Sequence, residues 1–286
     1  LKLREALTAF AADWRDDLSP AWQHFLTDVQ PDVASVAERL TFSVGEPIFP
    51  ARLRTPLVAA RGDAHVFRAF DDLAPAEVRC VLIGQDPYPK SSRATGRSFE
   101  QGDLESWSVP ASKVAASLRN LVRMLIAARI GVGAFQGGSW RALIERAAMA
   151  DINLEPPRQL FDRLQIEEGV LFLNAGLTLT RYKSGGAPEQ TQGHIPFWKP
   201  VVGRVLRTLS SRGNGHVVFL CLGGFAQQLV VREGVQAAAM AAGAWQTRVR
   251  VLTLPHPVAP GFTTGANPFV AVNEQLEAMG AARILW

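Results

Sequence analysis

Only two cysteines occur among the 286 residues, Cys80 and Cys221. Each sits in an apolar run, where a free thiol behaves as a small core residue. Two thiols cannot supply the four ligands that an iron–sulfur cluster takes, and no cysteine or histidine spacing matches a zinc site. The histidines, at 24, 65, 194, 216 and 256, are scattered, with no pair at i, i+4. The expectation is therefore no structural metal and no cofactor. A run of about 18 apolar residues, the least that spans a membrane, is also missing. The opening stretch LKLREALTAFAADW carries acids and helical spacing and does not read as a secretory signal. These absences point to an intracellular, cytoplasmic protein with no membrane partner. Internal repeats, linkers and low-complexity tracts are lacking as well.

What the chain has is an ordinary globular balance, 48% hydrophobic and 20% charged. A chain of this length can bury most of its apolar surface without covalent staples. Lysine and arginine total 30 against 26 acids, a formal charge of +4. That mild basicity suits a polyanionic partner without requiring one.

Residues 3–29 read as helix, with Leu3, Leu7, Phe10 and Trp14 at spacings of three and four, and Ser19-Pro20 opening a second helical segment. Residues 45–56 are punctuated by proline and read as loop, and 65–73 as helix. Four short runs rich in Val, Ile and Leu stand out, at 78–84, 169–174, 216–223 and 249–255. Their continuous apolar character is that of parallel strands covered on both faces. Helical patterns occupy 112–129, 139–150, 197–212 and 225–242. Alternation of this kind implies an α/β fold: a single domain over 1–286, with a central four-stranded parallel sheet flanked by helices on both faces and an N-terminal helical segment over 1–45.

The residues after each strand carry the chemistry. The first strand runs into Gln85, Asp86 and Tyr88, the second ends on Asn174, the third meets Gly223-Gly224, and the fourth meets His256-Pro257. Ligands of open parallel sheets bind at the carboxyl ends of the strands. Taken singly, Asp86 and Asn174 have plain readings as turn residues, and His256 as a hydrogen-bonded structural histidine. Four such endings together point to a site.

These residues carry a resemblance. GQDPYP (84–89) resembles the first motif of family 1 uracil-DNA glycosylases, usually Gly-Gln-Asp-Pro-Tyr-His. LFLNAGLTLT (171–180) resembles their Leu-Leu-Leu-Asn-x-x-Leu-Thr strand. FLCLGGFAQ (219–227) is similar to their glycine-serine loop, and HPVAPG (256–261) to their His-Pro-Ser-Pro-Leu-Ser loop. RSFEQG (97–102) matches the segment whose aromatic stacks on uracil. VPAS and SLRNL, within 109–121, are similar to their proline-rich loop and the helix after it. The order of motifs matches over about 46–280.

The resemblance implies a monofunctional uracil-DNA glycosylase, acting as a monomer on uracil-containing DNA, single- or double-stranded, in base excision repair. Hydrolysis of the N1–C1′ bond builds positive charge on the sugar and negative charge on the base, and both need groups already aimed at them. By the resemblance, Asp86 supports the sugar and orients a water, and His256 donates to uracil O2. Asn174 pairs with O4 and N3–H, and cytosine would leave that amide mismatched. Tyr88 is a wall against the thymine methyl, Phe99 stacks on the base, and the backbone at Gln85 touches it too. Glycosylases extrude the target base, at a cost of a few kcal/mol. The grip on DNA is expected from Lys90, Pro110, Ser112, Gly223, Gly224, Pro257, Val258 and Pro260, with Arg93 and Arg97 adding positive charge.

The pattern also departs from the family. Pro89 replaces the histidine that helps position the water. Pro260 falls where a leucine usually wedges into the duplex, with Val258 or Phe262 as substitutes. Gly223 stands where tryptophan is usual. A DNA-mimicking protein inhibitor that captures that leucine is expected to bind poorly. Pro89 and the altered histidine loop leave a second reading, a catalytically weak module that binds damaged DNA. The missing wedge leaves a third, a nucleoside N-glycosidic hydrolase.

Overall fold

The computed structural model describes residues 1–131, 138–149, 152, 154–180 and 191–286. The four apolar runs are strands: β1 (Cys80–Gly84), β2 (Val170–Asn174), β3 (Val217–Leu222) and β4 (Val249–Leu254). They form one sheet in the order β2-β1-β3-β4, and every neighbouring pair is parallel. Each strand is a residue or two shorter than its apolar run, the usual fraying at element ends. β1, β2 and β3 are buried throughout, whereas β4, one of the two edge strands, is partly exposed.

Strand side chains alternate between two cores. Val81, Ile83, Leu171, Leu173 and Phe219 face one core, and Cys80, Leu82, Val170, Phe172 and Leu220 the other. The first core is closed by α1 (Leu3–Phe10), α2 (Pro20–Phe25), α6 (Thr191–Ser211), α7 (Gly224–Arg232) and α8 (Val235–Ala241). The second is closed by α3 (Ala116–Ile130), α4 (Trp140–Met149), α5 (Pro157–Ile166) and α9 (Pro268–Ala278). Helices thus cover both faces, as the continuous apolar strands require. Both cores hold tryptophan and phenylalanine, and in the first they form a connected cluster. Trp14, Phe67 and Trp198 meet with ring centroids 5.4–6.3 Å apart, and truncating such a residue costs about 3–5 kcal/mol. Both cysteines are free and buried. No helix among the described residues is long and apolar enough to cross a membrane.

The helical expectations need four corrections. The first part of 3–29 is shorter than expected, since α1 stops at Phe10 and a single 3₁₀ turn lies at Trp14–Asp17, while α2 opens at Ser19-Pro20 as expected. Asp13 adopts a left-handed backbone (φ 48°), and buried Asp17 pairs with Arg52, so the chain turns to make that bond instead of continuing. Residues 65–73 form only a 3₁₀ turn at Arg68–Phe70, because the amides of His65 and Val66 bond to Thr95 and Ala51. The pattern over 225–242 divides into α7 and α8 at Gly234, φ 69°. Finally, α5 and α9 were not read from the pattern. Yet α9 has a legible start, Asn267-Pro268, whose asparagine side chain accepts from the amides of Phe269 and Val270. The expected helix at 139–150 is α4, and residue 150 itself lies outside the described residues.

Register sets the level of the site. Gly84 pairs with Asn174, and Leu222 with Leu254. The four strands therefore end side by side, and the residues just past each one are delivered to the same rim.

Candidate active site

A cavity of about 250 Å³ opens at that rim. This lies just below the range of about 300–1,000 Å³ usual for drug-sized ligands, which suits one small ring. Gln85, Asp86, Tyr88, Phe99, Asn174 and His256 all line it. These are the six residues expected to touch the base or the reacting bond, drawn from β1, β2, β4 and the 95–102 loop.

Asn174 ends β2 with 2% of its surface exposed. No described residue bonds to its side-chain amide, which opens on the cavity instead. Its position depends on Gly84 next door: a Cβ there would fall 2.3 Å from Asn174 Oδ1. Asp86 comes just after β1, and Gln85 Nε2 donates to its Oδ2 at 3.0 Å. The carbonyl of Gln85 accepts from the amide of Gly176 at 2.9 Å, which ties the ends of β1 and β2 together.

His256 comes just after β4. Its Nδ1 accepts from the Val258 amide at 3.3 Å, which puts the ring proton on Nε2. Partial burial lowers its pKa below the ordinary histidine value, so the ring is a neutral imidazole with an N–H to offer. Gly223 backs it. Its φ of 88° favours glycine, and a Cβ would stand 2.7 Å from that of His256.

The aromatic pair is held from behind. Tyr88 donates its hydroxyl to the Phe99 carbonyl (3.3 Å) and meets Ser117 Oγ (3.2 Å). Burial pushes its pKa up to about 12, so it stays neutral. Phe99 has φ 62°, unusual for a bulky residue and costing about 1–3 kcal/mol. The loop holds it there because the Ser98 amide bonds to Phe172 O (3.0 Å) and the Ser98 hydroxyl to Leu82 O (2.9 Å). The ring platform is thus pinned to β2 and β1 at once.

Arg97 apart, the residues expected to grip DNA do not line this cavity. Lys90, Pro110, Ser112, Gly224, Val258 and Pro260 are exposed around it, Val258 by 53%. Gly223 and Pro257 are buried with internal contacts, Gly223 on His256 and the Pro257 carbonyl on Asn120 Nδ2 at 2.7 Å. Three expectations are corrected. Arg97 is no surface cation: it is buried, with Nη1 2.8 Å from Asp162 and Nε donating to Gln165 at 2.8 Å. Arg93 is tied to Asp103 at 2.9 Å. Phe262 is 2% exposed in the second core and cannot reach a duplex. Sequence reasoning missed Ser117 and Phe225 as lining residues. Ser117 lay within the matched SLRNL segment, and Phe225 comes directly after the glycine pair, so both had a positional signal.

No family model matches the chain. Individual proteins do. The uracil-DNA glycosylase of Chromobacterium violaceum is 31% identical over 225 residues, covering 77% of this chain and 74% of that protein. That of Xanthomonas axonopodis pv. citri is 26% identical over 280 residues, 95% of this chain and 91% of that one. In three dimensions the chain resembles the wild-type UNG crystal structure from Nitratifractor salsuginis, with a TM-score of 0.64, 21% identity, and coverage of 96% and 97%. On sequence the relation is decisive, and the likeness in fold agrees with it: the chain belongs to the uracil-DNA glycosylase family.

Proposed function

We propose that this chain excises uracil from DNA by hydrolysing the bond between uracil N1 and deoxyribose C1′. One observation carries the reading: Asp86, Asn174 and His256, from the ends of three strands, line one small cavity together with Tyr88 and Phe99.

The roles come from chemistry. As the bond stretches, the sugar becomes oxocarbenium-like, and a carboxylate beneath it stabilises that charge and orients the attacking water. Asp86 takes this part, steadied by Gln85 Nε2. The departing uracil gathers negative charge on O2, and the Nε2–H of neutral His256 meets it. With Nδ1 occupied by the Val258 amide, the neutral ring has its one N–H on Nε2, free to point at the base. Asn174 donates to O4 and accepts from N3–H. Cytosine presents an amine at C4 and no hydrogen at N3, so both contacts become mismatches, and sites of this kind discriminate by roughly 10⁴ or more. Tyr88 fills the space a C5 methyl would need, and Phe99 stacks on the ring.

The base must leave the duplex, which costs a few kcal/mol. Exposed Val258 and Pro260 sit on the loop that presents His256, and apolar residues of this size can wedge between base steps. Lys90 supplies exposed charge for phosphate. On this reading the protein acts as a monomer on uracil-containing DNA in the cytoplasm. A DNA-mimicking inhibitor built to capture a leucine finds valine and proline here, and binds poorly.

The test uses single- and double-stranded oligonucleotides carrying one uracil, with alkali to cut any abasic site. Cleavage by the wild type is expected. Asp86→Asn should lower it by about 10²–10⁴-fold, the range for removing a positioned acid–base group. Tight binding without cleavage by the wild type would overturn the catalytic reading in favour of a binding module. Release of uracil from free deoxyuridine but not from DNA would favour the nucleoside hydrolase.

A further inference from the structure

Gly176 lies two residues past Asn174, at a position the matched strand motif leaves open. Its backbone is not in the left-handed region, so the turn itself does not demand glycine. Space does. A Cβ at 176 would stand 2.8 Å from Asp86 Oδ1 and 3.0 Å from Ile195 Cγ1. The main chain cannot back away, because the Gly176 amide donates to the Gln85 carbonyl at 2.9 Å and the Ala175 amide to the Gly84 carbonyl at 3.0 Å.

From this geometry we infer that Gly176 is a positioning residue for the reaction: its missing side chain is the seat of the Asp86 carboxylate. The same device recurs along the rim. Gly84 on β1 leaves room for Asn174 on β2, Gly176 after β2 leaves room for Asp86 after β1, and Gly223 after β3 leaves room for His256 after β4. Each functional side chain rests against a glycine from the neighbouring strand.

The consequence is specific. The obstructed atom is the tip of a side chain, which moves by rotating χ1 and χ2. Alanine at 176 therefore displaces the carboxylate more readily than it unfolds the strand end. A displacement of about 1 Å is enough to cost roughly 10²-fold in rate. The loss falls on kcat and not on KM, because Asn174, Phe99, Tyr88 and His256 still form the cavity. The inference rests on the catalytic reading of Asp86.

The experiment compares wild type, Gly176→Ala, Asp86→Ala and the double variant by steady-state and single-turnover cleavage of a uracil oligonucleotide. Gly176→Ala is expected to lose about 10²-fold in kcat, with KM and the thermal midpoint nearly unchanged. In the Asp86→Ala background the same alanine is expected to cost nothing further, since the atom it would displace is gone. An unchanged kcat in Gly176→Ala overturns the inference. So does an equal loss in both backgrounds, or recovery of kcat when Ile195→Ala is added, which would put the cause on Ile195. If Gly176→Ala alone folds poorly, the double variant is expected to regain the midpoint of Asp86→Ala, and failure of that rescue also overturns it. Full activity in Asp86→Ala would instead remove the catalytic reading beneath it, a result distinct from all of these.

Discussion

Two polar regions flank the 95–102 loop, and they are built on opposite terms. On one side is the cavity, where the buried amide of Asn174 has no protein partner among the described residues. On the other is a cluster of buried ions. Arg61 Nη2 lies 2.9 Å from Glu100, Arg68 Nη2 2.8 Å from Asp162, and Arg97 Nη1 2.8 Å from Asp162 and 3.5 Å from Glu100. Charge is balanced there even where hydrogen-bond direction is poor, as at the Glu100 oxygens. An unpartnered buried amide costs about 1–3 kcal/mol, and an uncompensated buried ion costs more. The fold neutralises the costlier demand within itself and leaves the cheaper one where a ligand can meet it. The ion cluster is thus matched in charge within the protein, whereas Asn174 is open to a ligand. Arg97 belongs to both regions in space, since it also lines the cavity, but its pairing assigns it to the second.

Substitutions on the two sides should separate activity from stability. The largest effect is expected on the cavity side. Asn174→Ala should reduce cleavage at uracil by about 10²–10³-fold, the range for losing one aimed hydrogen-bonding group, and should erode discrimination against cytosine. Its thermal midpoint should hold, because no hydrogen bond to a described residue is lost with the amide. A large fall in midpoint would show that Asn174 carries structure after all and would blur the contrast.

The next effect belongs to the ion cluster. Arg97→Leu leaves Glu100 and Asp162 with less positive charge in a buried setting, and should cost about 3–5 kcal/mol in a denaturant titration. At a temperature where the variant is folded, its activity should stay within about tenfold of wild type, the equivalent of about 1.4 kcal/mol. A loss of rate without loss of stability would move Arg97 from scaffold to site.

The same distinction explains how much could be read from sequence. The strands were legible because burial on both faces leaves an unbroken apolar run, and the site was legible because the register brings all four strand ends level. The strand-end positions of Asp86, Asn174 and His256 were enough to group them on one rim, and their expected roles came from the resemblance. Arg97 was misread because a surface cation and a buried one look alike in one dimension. Its partner Asp162 lies 65 positions away on α5, a helix the pattern reading did not identify. Phe262 failed for the matching reason, since an aromatic in a loop can be a wedge or an anchor and only the second core decides. The break after α1 was hidden because Asp17 seeks Arg52 across a fold that local periodicity cannot see.

The smallest effect concerns two histidines and sharpens the comparison by pH. His256 faces the cavity. His194 is fully buried on α6, its Nδ1 2.8 Å from Thr178 Oγ1 and its Nε2 3.2 Å from Thr180 Oγ1, while Trp198 Nε1 donates to the same Thr178 oxygen. Burial pushes the pKa of His194 down to about 3. Between that value and about 6.5, where histidine titrates in an unfolded chain, the unfolded state holds a proton that the folded state refuses. Stability therefore drops as pH is lowered through this window, by up to about 1.4 kcal/mol per pH unit, and is unaffected by His194 above it. Carboxylates held below their usual range add their own acid sensitivity only lower down. At Asp63, burial alone would raise the pKa, but Arg61, Arg68 and Arg158 overcome it. The thermal midpoint of wild type should thus begin to fall near pH 6.5, well before the carboxylates titrate. His194→Gln keeps polar contacts to the two threonines and cannot take up the proton, so its midpoint should fall less steeply than that of wild type over this window, with His256, whose pKa burial also lowers, supplying a remainder. Parallel curves for the two proteins would place the acid sensitivity outside His194.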